Sequence, residues 1–227
     1  TGSQYGLFDY CGYPKDEAWY LLSQWTGEPM AHVSPHWNLS EAEVEALKGE
    51  DGLIDVVVYS NCDEVSLHLN GRSLGRRAVP AYGHAAWRIA YKPGRMTVRG
   101  YRGGKCVFTR ECGTTGAGEG LSMTAHKMTL APDGQDVAVI DIVALDALGR
   151  EVPNAALPFE LSVEGADLLG WGNGDPGFKA VERPISGNTL EMCTFSGRAQ
   201  AIIRSREGGS GEVKVRAGEY ASLILNY

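Results

Sequence analysis

The sequence predicts an all-β protein built of two immunoglobulin-like β-sandwich domains, with one short helix ahead of them. Two observations carry this prediction. Short segments with alternating apolar and polar residues recur at a spacing of about ten residues, with a turn signal at each step. Glycine is abundant, at 30 of 227 residues, and proline adds 10, which is typical of a chain with many turns.

Length and charge narrow the class of protein. The 227 residues are enough for two domains of ordinary size, since a domain usually has about 100–150 residues. No apolar run approaches the roughly 20 residues that a membrane-spanning helix needs. The net charge of −7 argues against a nucleic-acid partner, which requires a basic face. We therefore expect neither nucleic acid nor membrane as a partner.

Cysteine and histidine spacing indicates no metal site and no disulfide framework. The number of cysteines is odd and none form a C-x-x-C pair, so free thiols are favoured, with Cys62 and Cys193 as small core residues. A Cys106–Cys112 bridge across a hairpin stays open as the less favoured alternative. The five histidines lack metal-ligand spacing. No metal and no cofactor are predicted.

The first element is a helix over Pro14–Trp25. Proline at a first-turn position and acidic residues beside it favour a helix start, and Gly27 with Pro29 ends it. Its surface is unusually apolar for a helix this short, so we expect it to need a partner surface. Residues 30–50 predict a linker and a first strand, followed by an acidic stretch that is either a helical turn or a solvated loop.

The strands of a first sandwich begin at Leu53. Within Glu64–Leu69, apolar residues alternate with polar ones, and Asn70-Gly71 follows at once, which is the strongest short hairpin signal. The predicted strands are Leu53–Ser60, Glu64–Leu69, Ser73–Gly75, Ala85–Tyr91, Arg95–Tyr101 and Cys106–Cys112.

The glycine-rich stretch Gly113–Gly120 predicts a flexible linker to a second all-β domain. In Val137–Asp146 the two alternating sets place Asp141 on one face and Ile140 on the other. The predicted strands are Leu121–Leu130, Val137–Asp146, Phe159–Glu164, Ala166–Gly170, Thr189–Phe195, Gln200–Ser205, Gly211–Ala217 and Ala221–Asn226.

Several motifs, in the right order, resemble bacterial β-galactosidases of glycoside hydrolase family 2. They are Ser3–Trp25, His36–Asn38, Val57–Gly75, Asp146–Asn154 and Gly170–Pro176. The resemblance implies that residues 1–28 are the last loop and helix of a (β/α)8 catalytic barrel. Residues 29–117 and 118–227 would then be the two immunoglobulin-like sandwiches. One departure is the short loop after Pro176, where a single glycine precedes Phe178.

The resemblance also implies a parent enzyme: a retaining β-galactosidase-like glycosidase whose two catalytic glutamates lie on earlier barrel strands. We therefore expect no catalytic residue in this chain. Its acids Asp63, Glu64, Asp141 and Asp146 fall at turns or strand edges and indicate solvated surface. The expected function is that of a non-catalytic accessory region, which braces the barrel or shapes the approach to the active site. Its expected partner is the upstream barrel.

The polar start without methionine is typical of a chain that begins inside a longer protein, so it indicates no compartment. A homo-oligomeric parent stays open. Tyr5, Phe8 and Asp9 resemble barrel-loop positions near the mouth of the parent's active site.

The segment Trp171–Pro176 carries the alternative function, a carbohydrate-binding module. Trp171 between glycines could stack on a sugar, and Asn173 and Asp175 could bind hydroxyl groups. In the competing interpretation, Trp171 packs in the sandwich while Asn173 and Asp175 hold a tight turn through bonds to the backbone. These three residues are the candidate ligand-binding site, with carbohydrate as the candidate ligand.

Overall fold

A computed structural model of the chain describes residues 5–177 and 187–227, and it confirms the all-β class. Two helices occur in these residues, α1 (Asp16–Trp25) and α2 (Glu41–Leu47). No helix there has the length and apolar character needed to cross a membrane. The strands are β1 (Ala31–Ser34), β2 (Ile54–Ser60), β3 (Glu64–Leu69), β4 (Arg72–Ala78), β5 (Ala85–Ile89), β6 (Arg95–Arg102), β7 (Lys105–Gly113), β8 (Gly120–Ala125), β9 (Val137–Leu145), β10 (Pro158–Glu164), β11 (Asp167–Gly172), β12 (Thr189–Cys193), β13 (Arg198–Arg204), β14 (Glu212–Ala217) and β15 (Ala221–Asn226).

The chain divides into two compact units. The N-terminal unit is Pro14–Thr115, and the C-terminal unit combines Gly116–Tyr227 with the residues up to Tyr13. Helix α1 therefore groups with the first sandwich, whereas the segment just before it groups with the second. The predicted boundaries of 1–28, 29–117 and 118–227, and the barrel origin of the first range, stay predictions.

The N-terminal unit contains two antiparallel sheets, in the orders β1-β2-β5 and β4-β3-β6-β7. Strand β3 buries Val65, Leu67 and Leu69, as its alternation predicts. The hairpin prediction is also confirmed, because Asn70 and Gly71 connect β3 to β4 with φ of 52° and 80°. Two positive φ values in succession are what a tight two-residue hairpin needs.

Two predictions near the start of this unit are corrected or settled. Helix α1 begins at Asp16 after an extended N-cap, Lys15, so Pro14 lies before the helix rather than in its first turn. The acidic stretch forms α2, since the Ser40 and Glu43 side chains make a reciprocal capping box at its start. Of the two alternatives for that stretch, the helical one is therefore observed.

The C-terminal unit contains two four-stranded antiparallel sheets, β12-β10-β14-β15 and β11-β13-β9-β8. Strand β9 buries one of its two alternating sets of residues, Ala138, Ile140, Ile142 and Ala144. The predicted strand Leu121–Leu130 is too long, because β8 ends at Ala125. Leu130 instead donates its N–H to the Asn226 carbonyl of β15 at 2.8 Å, so the chain passes here from one sheet to the other.

All five cysteines are free thiols, and only part of the cysteine prediction is confirmed. Cys62 is buried in the N-terminal core, as predicted, but Cys193 is only half-buried, because its neighbour Met192 takes the inward position. Cys106 and Cys112 lie on one strand, β7, and not across a hairpin. Six residues of strand separate their Cα atoms by about 20 Å, far beyond the reach of a disulfide.

Candidate functional site

The segment that ends at Tyr13 is anchored on the outer face of the β9–β13 pair. The Tyr13 hydroxyl lies 2.8 Å from Asp141 Oδ1 and 2.9 Å from the Ala199 carbonyl oxygen, and its one proton is shared between these two acceptors. The guanidinium of Arg198 stacks over the Tyr13 ring at 5.1 Å. Burial raises the pKa of Tyr13 far above its usual range, so the phenol remains a neutral donor at physiological pH.

Asp141 is the centre of this contact and not a solvated surface acid, which corrects the sequence prediction. Besides Tyr13, Gln200 donates to its carboxylate at 3.0 Å, and His126 Nε2 lies 2.8 Å away. Partial burial opposes ionisation of Asp141, but the bonds from Gln200, His126 and Tyr13 outweigh it and lower the pKa of the carboxyl. Asp141 is therefore an ionised acceptor that holds the segment before α1.

A compact turn precedes Tyr13. Asp9 Oδ1 accepts the backbone N–H groups of Cys11 at 2.8 Å and Tyr13 at 2.9 Å. Gly174 approaches this turn so closely that a Cβ there would overlap the Asp9 carboxylate, and its φ of +82° also favours glycine. The turn and the loop after β11 are thus in direct contact within the C-terminal unit.

A cleft of about 310 Å³ lies between this turn and strands β11 and β13. Gly170 and Gly172 pair with Ile202 and Gln200, whereas the intervening Ala201 is fully buried. Because side chains alternate across a strand, the cleft lies on the outer face of the sheet. It is lined by Tyr10, Cys11, residues 170–175, Gln200 and Ile202. Burial raises the pKa of Cys11 to about 11, so this wall carries a neutral thiol.

The three predicted ligand-binding residues all line the cleft, yet their contacts match the competing, structural interpretation. Trp171 pairs with Ala201 and packs against the core. Asn173 is buried, and it donates to the Cys193 carbonyl and accepts from Asp175 N. Asp175 in turn accepts the N–H of Gly177 at 2.7 Å. Their roles in binding stay a prediction.

Sequence reasoning missed two residues that face the cleft, Tyr10 and Gln200. Gln200 could not be found from the sequence, because its position depends on the pairing of β13 with β11 and β9. The glycines at 170, 172 and 174 alternate with larger residues, and this pattern was a usable sign of an open strip along one face.

The other predicted acids divide into two groups. Asp63 accepts the N–H of Gly103 in an exposed turn and Glu64 pairs with Arg76, which fits the expected surface. Asp146 is buried, which is a further correction. It accepts from the backbone N–H groups of Gly116, Leu148 and Arg150 and from the Arg150 guanidinium.

Two further predictions concern metals and barrel-loop residues. Among residues 5–177 and 187–227, no cluster of three or more His, Cys, Asp or Glu side chains could hold a metal ion. Tyr5 and Phe8 are exposed, and their assignment to the mouth of an active site stays a prediction.

Comparisons with known proteins assign the family. Residues 121–221 match the family described as glycoside hydrolase family 2 C-terminal domain 5, and residues 51–108 match a domain of unknown function, DUF4982. The chain is 30% identical over 222 residues to the β-galactosidase BoGH2A of Bacteroides ovatus, covering 95% of the chain and 24% of that protein. It is 30% identical over 205 residues to a β-glucuronidase of Formosa agariphila, covering 88% of the chain and 19% of that protein.

Solved structures agree. A β-glycosidase from Bacteroides vulgatus superposes with a TM-score of 0.84 at 28% identity, over 99% of this chain and 28% of that one. A β-glucuronidase of glycoside hydrolase family 2 superposes with a TM-score of 0.75 at 25% identity, over 97% of this chain and 22% of that one. The chain thus spans about a quarter or less of the length of the curated relatives described above. With the motif order and the all-β fold, these matches show that the chain belongs to the C-terminal region of glycoside hydrolase family 2.

Proposed function

We propose that this chain is the non-catalytic C-terminal accessory region of a family 2, β-galactosidase-like enzyme, and that its C-terminal unit helps to shape the approach to the parent's active site. One observation carries the proposal: the Tyr13 hydroxyl and Asp141 fix the segment before α1 to the outer face of the second sandwich. The sequence of this segment resembles the last loop of the catalytic barrel. A loop fixed at its base presents the same surface to every substrate.

The chemistry of the acids supports the absence of catalysis. A retaining glycosidase needs one carboxyl group that stays protonated as the acid and a second that attacks the sugar. Asp141 has a lowered pKa and its oxygens are occupied by side-chain donors. Asp146 also has a lowered pKa and accepts backbone N–H groups in a turn. Neither carboxyl is suited to donate a proton to a leaving group at neutral pH.

The experiment is a hydrolysis assay on the purified 227-residue chain. p-Nitrophenyl β-galactoside and p-nitrophenyl β-glucuronide are the substrates, because relatives named for both activities match the chain. We expect no release of nitrophenol above the buffer rate with either. Turnover that disappears in Asp141→Asn, with the fold intact by circular dichroism, would contradict the proposal.

A second candidate function is carbohydrate binding, favoured by the cleft that Trp171, Asn173 and Asp175 help to line. The test is a titration of galactose, lactose and polysaccharides, followed by tryptophan fluorescence. A saturable change in fluorescence supports binding. A flat response with every sugar contradicts binding and leaves the accessory role as the only proposed function.

A further inference from the structure

We propose that the cleft beside β11 binds a neutral saccharide, which lies over a floor of glycines and is held by Gln200, Asp175 and Tyr10 instead of stacking on Trp171. This inference rests on the second proposed function, carbohydrate binding, and names its ligand class and its contacts.

The floor of the cleft is formed by glycines and is most open at Gly170. Glycine inside a strand costs stability, so it usually marks a bend or a place where something approaches the backbone. Gly170 has no positive φ, and a Cβ there would meet only the Ile202 side chain at 3.8 Å, an ordinary contact. The pairing of β11 with β13 has a β-bulge between Leu168 and Gly170, which accounts for a glycine here. The open space above Gly170 leaves room for a ligand.

The polar groups around this floor suit sugar hydroxyl groups. The Gln200 amide nitrogen donates to Asp141 at 3.0 Å, which fixes the amide, and its oxygen Oε1 has no partner among residues 5–177 and 187–227. Asp175 uses Oδ1 to accept from Gly177, and within the same ranges Oδ2 has no partner. Two acceptors that line the same cleft complement the donors of a sugar. Tyr10, which is 64% exposed, adds an aromatic wall.

Trp171 is poorly placed to be the stacking platform. It pairs with Ala201 on the inward side of β11 and packs against the core. Its indole N–H is buried and lacks a hydrogen-bond partner in the described part of the chain. Trp171 nevertheless lines the cleft, so its fluorescence should report occupancy.

The charge of the lining selects neutral sugars. Of the described lining residues, only Asp175 has a charged side chain at neutral pH, and no lysine or arginine is among them. A uronate would bring a second negative charge close to this carboxylate. At about 4 Å in water, the repulsion corresponds to about a fivefold loss of affinity. Galactosides or glucosides should therefore bind better than glucuronides.

The test titrates lactose and sodium glucuronate into the whole chain, with calorimetry and tryptophan fluorescence as readouts. Wild type should bind lactose saturably, and about fivefold more tightly than glucuronate. Gly170→Val places a side chain on the floor of the cleft, on the edge strand β11, and should weaken lactose binding at least about tenfold. Gly120→Val is the matched control, since Gly120 lies on the opposite edge strand of the same sheet and a Cβ there meets nothing within 4 Å. Asp175→Asn should remove the preference for lactose over glucuronate, because it improves the binding of glucuronate.

The outcomes distinguish a failure of this inference from a failure of the proposed carbohydrate binding. Saturable lactose binding that is unchanged in Gly170→Val but lost in a folded Trp171→Ala would overturn this inference and leave carbohydrate binding intact. Equal affinity of wild type for lactose and glucuronate would overturn the neutral ligand class. No heat and no fluorescence change with either sugar would overturn both the inference and the binding function. Thermal unfolding of each variant shows whether a loss of binding reflects a loss of fold.

Discussion

Replacing Tyr13 by phenylalanine should loosen the segment before α1 without unfolding the sandwich beneath it. The variant keeps the ring that stacks under Arg198 and removes only the hydroxyl, which lies 2.8 Å from Asp141 Oδ1. Asp141 keeps its bonds from Gln200 and His126, so no bare buried charge is left behind. The loss of stability should therefore be confined to the segment before α1.

The magnitude follows from the type of bond. A hydrogen bond to a charged acceptor contributes about 1.5–3 kcal/mol. Because Tyr13 is only half-buried, water can replace part of the lost bond, and we take the lower end, about 1.5 kcal/mol. That is about a tenfold rise in the population of the open segment.

Amide hydrogen exchange measures this opening directly. The N–H groups of Cys11 and Tyr13, which bond to Asp9, should lose about tenfold in protection, whereas Ile140 in β9 should be unchanged. Tyr220→Phe, at an exposed position on the same unit, is the control. Equal protection of the Cys11 amide in wild type and Tyr13→Phe would refute the reasoning.

Three further predictions concern stability and thiol chemistry. Hydrogen bonds, first of all from Gly116 N–H, hold the pKa of Asp146 well below the 3.8 of a free carboxyl, so the ionised carboxylate stabilises the fold fully above that pH and loses this effect as pH falls. The difference in urea midpoint between wild type and Asp146→Asn should therefore shrink from pH 6 to pH 3. A constant difference would contradict a lowered pKa for Asp146. Leu161→Ala, in the fully buried core of the C-terminal unit, should cost about 2–5 kcal/mol by urea unfolding, and a loss below about 1 kcal/mol would show that the site is not packed. Under non-reducing conditions Cys106 should be alkylated first and Cys62 last, and a mass showing a disulfide would contradict the separation along β7.

Local signals account for what the sequence predicted well. The alternation in β9 identified both faces of the strand, because the full burial of Ile140 and the partial burial of its neighbours follow from a period of two. Asn70 and Gly71 specified a hairpin because both tolerate positive φ. Neither prediction needed knowledge of a distant residue.

The site depends on distant residues, so the sequence revealed less of it. Tyr13 and Asp141 are 128 positions apart, and nothing local to either indicates the bond. The burial of Asp146 was missed for the same reason, since part of its shell comes from Gly116, thirty residues earlier. The end of β8 at Ala125 was also missed, because the chain leaves that sheet to place Leu130 beside β15.

We have proposed that the C-terminal unit fixes the segment before α1 and so helps to shape the approach to the parent's active site. The most direct measurement is kcat/KM for hydrolysis of a chromogenic β-galactoside by the proposed complete enzyme. Wild type, Tyr13→Phe and Tyr220→Phe are compared after their melting temperatures have been shown to be equal. We expect a lower kcat/KM in Tyr13→Phe, because a looser segment no longer presents one fixed surface to the substrate, and no loss in Tyr220→Phe. Equal kcat/KM in all three proteins would contradict it.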